Sequence, residues 1–405
     1  MSKEVSVSQD VKDLIRIILD KEGLSADSEV IYEIGSQIGD GYLSRNIAAT
    51  IKDGDKVIEL FLKCGLNIQS TAFLPIDRYY SNEIHFYDNI YPAYVKFLEE
   101  KGVVEGFRNV AKCYGTSLKN ILALDNLKKK GYKLCDKTKP AENRHISLVF
   151  KTFAKFHAIS FAMKDQRKED YEKLIEPTQI PFENPQNDAV ENMFKDNLNE
   201  FLATLDPVRD KHLVDGTQGL AESIMEYGKK AFYSPDKTDY DILTQGDCWC
   251  NNMMFFCYRN INEKPLDVVL VDWQLIRTCI PIYDLAYFFY NIASEEVMQN
   301  LQYYLKLYHD ELTYQMEKLG SDPDTLYPFS VFEQHWKQHA KFGYYMGFML
   351  IRMMLSEKEE QLDLEKIDFD NLSEAANVMP KIRNSEEYFR RMKILTEHMV
   401  SNGFI

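Results

Sequence analysis

One stretch constrains the fold of this chain more than any other. Residues 243–256 read LTQGDCWCNNMMFF, and VVLVDWQL follows at 268–275. Asp247 comes after a short apolar strand and a glycine, Asn252 stands five residues later, and Asp272 ends the apolar run DVVLV twenty residues beyond Asn252. Phosphoryl transfer needs few protein groups: a carboxylate near the acceptor hydroxyl and oxygen ligands for magnesium. Magnesium takes one or two carboxylates or amides and completes its shell with phosphate oxygens and water. An Asp, an Asn five positions on and a second Asp ending the next hairpin strand is the spacing of kinase catalytic loops. Alone, Asp-x4-Asn would mean little, because both residues are common in turns. The strand before, the hairpin after and Asp272 give the pattern its weight.

The N-terminal part can supply the other half of such a site. VIYEI (30–34), NIAATI (46–51) and KVIELFLK (56–63) read as strands. Gly35, Gly39 and Gly41, then Asp53-Gly54-Asp55, separate them, which predicts antiparallel hairpins. Lys63 ends an otherwise apolar segment. A lysine aimed into a sheet needs a partner, because burying a lone ammonium is expensive. Glu83, in a helical segment over about 82–100, can be that partner and hold Lys63 against nucleotide phosphates. The plain alternative is a lysine snorkelling to solvent. Gly39-Asp40-Gly41-Tyr42-Leu43-Ser44 fills the first hairpin, where glycines allow close backbone approach and Ser44 or amides can donate to phosphate. ILALDNLKKKGY (121–132) reads as a strand running into a linker, with the backbone of Asp125 to Leu127 facing an adenine.

Around these segments the pattern is β first and α later. Val11, Leu14, Ile15, Ile18 and Leu19 repeat at helical spacing, with Gly23 as a stop. Pro92 is a kink or break in the 82–100 helix. Further strands are predicted near 108–115, 120–127, 241–244, 253–257 and 267–272. Helices are predicted from about 144, up to about 232, and through the last 120 residues, with 165–187 a surface connection. Acidic residues outnumber basic ones by 63 to 48, a net charge of −15, which repels phosphate backbones and argues against nucleic acid. No run of eighteen uncharged apolar residues suggests a membrane span. The polar N-terminus has no signal-peptide core. Seven cysteines without framework spacing point to reduced thiols and the cytoplasm.

These motifs resemble the ecdysteroid-kinase-like proteins of insects, within the wider choline-kinase and aminoglycoside-phosphotransferase group. The carrying residues are Gly246 to Phe255, Val271-Asp272-Trp273-Gln274, Asp284-Leu285, Tyr114, Glu83 with Phe86-Tyr87, and His157-Ala158 with Ser160. The resemblance spans about 30–350. It implies Asp247 as catalytic base, Asn252 and Asp272 as magnesium ligands, Lys63 and Glu83 as the phosphate-anchoring pair, and Asp284 as a brace for the catalytic loop. Gln245 stands where the family usually has His, a position that supports loop geometry, and Gln keeps the capacity to donate and accept. Trp273 in place of Phe is a mild change.

Other conspicuous residues read as structural. Cys248, Cys250 and Cys257 lack a second ligand pair. His335 and His339 lack the HExxH glutamate. His157 lies on an apolar helical face, and Lys128 to Lys130 form a solvated turn. Gly343, Tyr344, Tyr345, Phe348, Met349 and Met353 make a core stripe, or the lining of an apolar substrate pocket.

The expectation is therefore an α+β, bilobal, protein-kinase-like fold. A nucleotide-binding lobe over 1–127 precedes a catalytic and substrate lobe over 128–405. The expected activity is ATP- and Mg²⁺-dependent phosphorylation of a hydroxyl on an ecdysteroid or another lipophilic small molecule, in hormone inactivation or detoxification. A choline-like acceptor held by cation–π contact, or a pseudokinase binding module, is the alternative.

Overall fold

A computed structural model describes residues 6–35, 44–66, 75–178, 188–233, 235–257, 264–356 and 385–405. Gly39 and Gly41, with Asp40, Tyr42 and Leu43 between and after them, lie outside the described residues. Strands β1 (Glu29–Ile34), β2 (Ser44–Asp53), β3 (Lys56–Gly65), β4 (Cys113–Ser117) and β5 (Ile121–Asp125) form one antiparallel sheet in the order β1-β2-β3-β5-β4. Side chains alternate along a strand. Leu60 and Leu62 therefore face the same way as Ile47, Ile51 and Ala123, into a core closed by α1 (Gln9–Lys21). Phe61 and Lys63 face the other way and line a cleft. Helix α1 buries Val11, Leu14, Ile15, Ile18 and Leu19, is capped by Ser8, and gives way to Gly23 at φ 65°.

Pro92 does not break its helix. The element begins earlier than 82, as α2 (Ile76–His85), widens into one π turn at Phe86–Ile90, and continues as α3 (Tyr91–Glu100). Proline offers no N–H to the turn before it, and the wider turn, closed by the Tyr91 N–H on the Phe86 carbonyl, absorbs that loss.

Strand β6 (Tyr132–Leu134) joins β8 (Met253–Cys257) and β9 (Pro265–Leu270) in a three-stranded sheet. A two-stranded pair joins β7 (Ile242–Thr244) to β10 (Arg277–Cys279). Strands β6 and β10 were not anticipated. Strand β9 ends at Leu270, so Asp272 stands two residues past it rather than at its end.

The long helix α4 (Asn143–Gln166) runs through the core. Among the described residues it alone is long and apolar enough to cross a membrane, and 78% of the qualifying stretch is buried inside the protein. The connection expected over 165–187 contains α5 (Lys168–Ile175), and residues 179–187 lie outside the description. Then come α6 (Asp188–Leu202), α7 (Lys211–Gly216), α8 (Leu220–Tyr233), α9 (Ile282–Ile292), α10 (Glu295–Gln299), α11 (Leu301–Lys318), α12 (Pro323–Leu326), α13 (Phe329–His339), α14 (Lys341–Leu355) and α15 (Ser385–Ser401). Every residue of α9 is buried. At Gly343, α14 approaches so closely that an added Cβ would meet the Ala286 carbonyl at 2.3 Å. The architecture is the α+β, bilobal, kinase-like one that the residue pattern led us to expect.

Candidate active site

A cleft lies between the first sheet and the β8–β9 hairpin and opens to solvent. Its apolar part is made by Phe61, Ala111, Leu124, Leu127, Leu134, Met254 and Val271. Its polar part contains Ser44, Lys63, Glu83, Asp125, Asn252 and Asp272. Six of the ten residues singled out from sequence thus reach one cleft directly, and Leu127 joins them from the apolar side. Asp247 is tied to the cleft through Asn252, and Gly39 and Gly41 are not described.

Lys63 donates to Glu83 Oε2 at 2.7 Å and lies 2.9 Å from Asp272 Oδ1. Burial works against the Lys63 ammonium, but the Asp272 and Glu83 carboxylates outweigh it and hold its pKa above the ordinary value. Burial is also the main reason why the Glu83 carboxyl rises to about 7, with the Asp272 charge adding to the rise and Lys63 opposing it. The other Glu83 oxygen accepts the Trp273 N–H at 3.3 Å. Beside it, Asn82 donates to the Gln274 carbonyl at 3.1 Å. The Trp273 ring stacks on Phe86 with centroids 3.8 Å apart and planes 8° apart. Helix α2 and the π turn are therefore clamped to the segment after β9, and the fully buried Trp273 ring fills the core there.

The loop after β7 is held by directed hydrogen bonds. Gly246 adopts φ 81°, and a Cβ there would lie 2.1 Å from the Leu275 carbonyl, so only glycine fits. The N–H groups of Gln245 and Gly246 donate to the two oxygens of buried Asp284 at 2.7 and 3.0 Å. His157 contacts Asp284 at 3.2 Å and Tyr308 at 2.9 Å, so this core histidine also backs the brace. Gln245 Nε2 donates to the Val271 and Asp272 carbonyls at 3.2 and 2.9 Å, and its Oε1 accepts from Cys248 at 2.9 Å. Asp272 sits at φ 63°, a strained conformation that Asp tolerates better than most residues. Gln245 thus braces the backbone at that strained position.

Asp247 is half-buried. That burial, with the Asp272 charge, raises its carboxyl to about 6, against the lowering hydrogen bonds from Tyr287 and Asn252. Asn252 Nδ2 donates to Asp247 Oδ2 at 2.7 Å and to the Asp247 carbonyl at 3.0 Å. Tyr287 donates to Oδ1 at 2.8 Å. Burial, then the Asp247 charge, pushes the Tyr287 hydroxyl well up, so it stays a donor. Tyr287 was not anticipated. Its only signal was its place one helical turn after Asp284.

In the linker, the Asp125 and Asn126 amides donate to the Lys112 and Glu59 carbonyls at 2.8 and 2.9 Å. Those two N–H groups are therefore already paired within the protein. The Asp125 side chain pairs with Lys130. His335 contacts the Tyr327 hydroxyl at 3.0 Å and His339 that of Tyr227 at 3.1 Å. Among the described residues no three His, Cys, Asp or Glu side chains converge on a metal position. In the α14 stripe, Gly343, Tyr344 and Phe348 are buried in the core, while Tyr345, Met349 and Met353 are half-buried.

The fold and cleft define a kinase-like protein. A profile of the ecdysteroid kinase-like family matches residues 38–321, and the chain belongs to that family. Among solved structures it is similar to the ethanolamine kinase of Plasmodium vivax, at 13% identity and a TM-score of 0.39, covering 100% of this chain and 91% of that one. It is also similar to the GDP complex of aminoglycoside 2'-phosphotransferase-IIIa, at 12% identity and a TM-score of 0.42, covering 98% and 100%. The choline kinase of Cryptosporidium parvum aligns at 10% identity and a TM-score of 0.40, covering 95% and 93%. No curated protein matches the chain.

Proposed function

We propose that this protein is an ATP-dependent small-molecule kinase that phosphorylates a hydroxyl of an ecdysteroid or another lipophilic alcohol. The observation that carries the reading is the meeting of Lys63, Glu83 and Asp272 across the cleft, with Asp247 and Asn252 bonded together beside it. Adenine enters the apolar slot between Leu124 and Met254, with the Leu127 amide as its backbone partner. Lys63, already desolvated and charged, turns from Asp272 to a phosphate oxygen while Glu83 retains it. Asp247 accepts the proton of the acceptor hydroxyl as that oxygen attacks phosphorus.

The donor set suits a magnesium ion carried in by the nucleotide. Asn252 uses its Nδ2 on Asp247, which leaves its Oδ1 for a cation. Asp272 gives one oxygen to Lys63, and its side chain is 29% exposed. Amide and carboxylate oxygens are the hard donors that magnesium prefers. Bound there, the ion would neutralise charge on the transferred phosphoryl group.

The acceptor side adds aromatic rings. Burial, then Tyr233 and the Asp247 charge, raise the Tyr79 hydroxyl, so it stays protonated. Phenolic groups and Met side chains suit a neutral, lipophilic, hydroxylated acceptor. Adding phosphate to such a compound suits hormone inactivation or detoxification, and reduced cysteines suit the cytoplasm.

A screen of hydroxylated steroids, plant metabolites and choline, read by ADP release and by mass of the product, tests the reading. A phosphorylated lipophilic alcohol, formed only while Asp247 is intact, supports it. Phosphorylation of choline alone corrects the acceptor class. Absence of both Mg·ATP binding and product defeats the proposal.

A further inference from the structure

Helix α9 reaches the catalytic loop at two points one turn apart. Asp284 takes the loop's backbone N–H groups, and Tyr287 takes a side-chain oxygen of Asp247 at 2.8 Å. Three tyrosines lie on this helix, and they point to different targets. The Tyr283 hydroxyl is 3.5 Å from His339 Nδ1, and the Tyr290 hydroxyl is 3.3 Å from His398 Nε2. Only Tyr287 of these three meets Asp247.

We propose that Tyr287 is a positioning residue for phosphoryl transfer, setting the orientation of the Asp247 carboxylate toward the acceptor hydroxyl. The inference rests on the kinase reading of the cleft.

The geometry carries the argument. Asn252 holds Oδ2 from the loop and Tyr287 holds Oδ1 from α9. Two donors from two separate elements stop the carboxylate plane from turning, and each oxygen keeps one lone pair that can take the incoming proton. Removing Tyr287 leaves one fixed oxygen and a plane free to rotate about it. A hydrogen bond to a charged group is both shorter and stronger than a neutral one, so the clamp is stiff. Its far end is stiff as well. The Tyr287 ring packs edge-on against Phe342 of α14, centroids 6.1 Å apart, and α14 is locked to α9 at Gly343. Tyr287 does not line the nucleotide cleft. Its effect therefore falls on the transfer step and not on nucleotide binding. In that step the acceptor O–H proton passes to Asp247, the acceptor oxygen bonds the γ-phosphorus, and the bond to the ADP oxygen breaks with its electron pair leaving on ADP.

The test is steady-state Mg·ATP turnover with water as the acceptor hydroxyl, alongside calorimetric Mg·ATP binding. The proteins are wild type, Tyr287→Phe, Tyr283→Phe and Tyr290→Phe. Each variant keeps its ring and loses one hydroxyl, so the sibling tyrosines control for the loss of a buried hydrogen bond. The expected result is a kcat about tenfold lower for Tyr287→Phe alone, the size of effect that misplacing a reacting group by a fraction of its contact distance produces. Its KM for ATP and its Mg·ATP affinity should match wild type. An unchanged kcat in Tyr287→Phe, or equal losses in all three variants, overturns the proposal while leaving the kinase reading standing. A wild-type protein that neither binds nor turns over Mg·ATP defeats the kinase reading, and the proposal with it.

Discussion

The two walls of the cleft hold their polar groups by different means. On the sheet side Lys63 is fixed by paired charges, through a charge-assisted hydrogen bond to Glu83 at 2.7 Å and an ion pair with Asp272 at 2.9 Å. On the loop side Asp247 and the backbone around it are fixed by hydrogen bonds from Asn252, Tyr287 and Gln245 and to Asp284. Attraction between charges falls slowly with distance, whereas a hydrogen bond fades beyond about 3.5 Å or once bent below about 120°. The sheet side can therefore release Lys63 to a phosphate without changing shape. The loop side has no such slack, and losing one donor or acceptor there shifts several groups at once.

The sharpest way to break this contrast is at Asp247. Asp247→Asn should lower phosphoryl transfer about a thousandfold, within the range that general bases supply, while Mg·ATP binding survives. Turnover and calorimetry on one preparation check both halves. Asp284→Ala is next. It strips the acceptor from two loop N–H groups and from His157, and each buried group left unpaired costs about 1–3 kcal/mol. The urea midpoint should fall by the equivalent of about 3 kcal/mol with little change in slope. An unmoved midpoint would show that the loop does not depend on its brace.

The pH profile sharpens the picture further. The Asp247 carboxyl is raised to about 6 by burial and by Asp272. A base works only when deprotonated, so turnover is full well above that pH and falls about tenfold per unit below it. A flat profile between pH 5 and pH 7 would place the base elsewhere. The smallest effect belongs to Gln245→His. Imidazole can give only one N–H where Gln245 serves two carbonyls, so the expected loss is below about 1 kcal/mol in stability. Mg·ATP affinity should stay close to wild type, as calorimetry would show.

The difference between the walls also sets what was legible in the sequence. Lys63, Asp247, Asn252 and Asp272 stood out because polar residues interrupt apolar strands there, and one cleft gathers them or their immediate partners. In the structure, strand alternation puts Leu60 and Leu62 on one face and Lys63 on the other, as a period of two requires. What could not be read depends on contacts between distant segments. Tyr287 meets Asp247 across forty positions, and a buried tyrosine in an apolar helix carries no mark of its target. Gln245 read as a loop-supporting residue able to donate and accept, with no sign that its amide reaches two carbonyls more than twenty-five residues away. The backbone of Asp125 to Leu127 read as facing an adenine, and the sequence carried no sign that neighbouring segments take the Asp125 and Asn126 N–H groups. Pro92 read as a break because the local rule has no knowledge of a π turn that can absorb it.

The central claim is that Asp272 serves a nucleotide-borne magnesium ion and is not merely a partner for Lys63. Calorimetric titration of ATP, with and without Mg²⁺, into wild type and Asp272→Ala tests it most directly. Only the magnesium form loses a coordination bond in the variant, so Mg·ATP binding should weaken more than binding of metal-free ATP. The metal-free form could even bind as well as before, because Lys63 then answers to one carboxylate fewer. Equal losses for the two forms would contradict the account and leave Asp272 a structural residue.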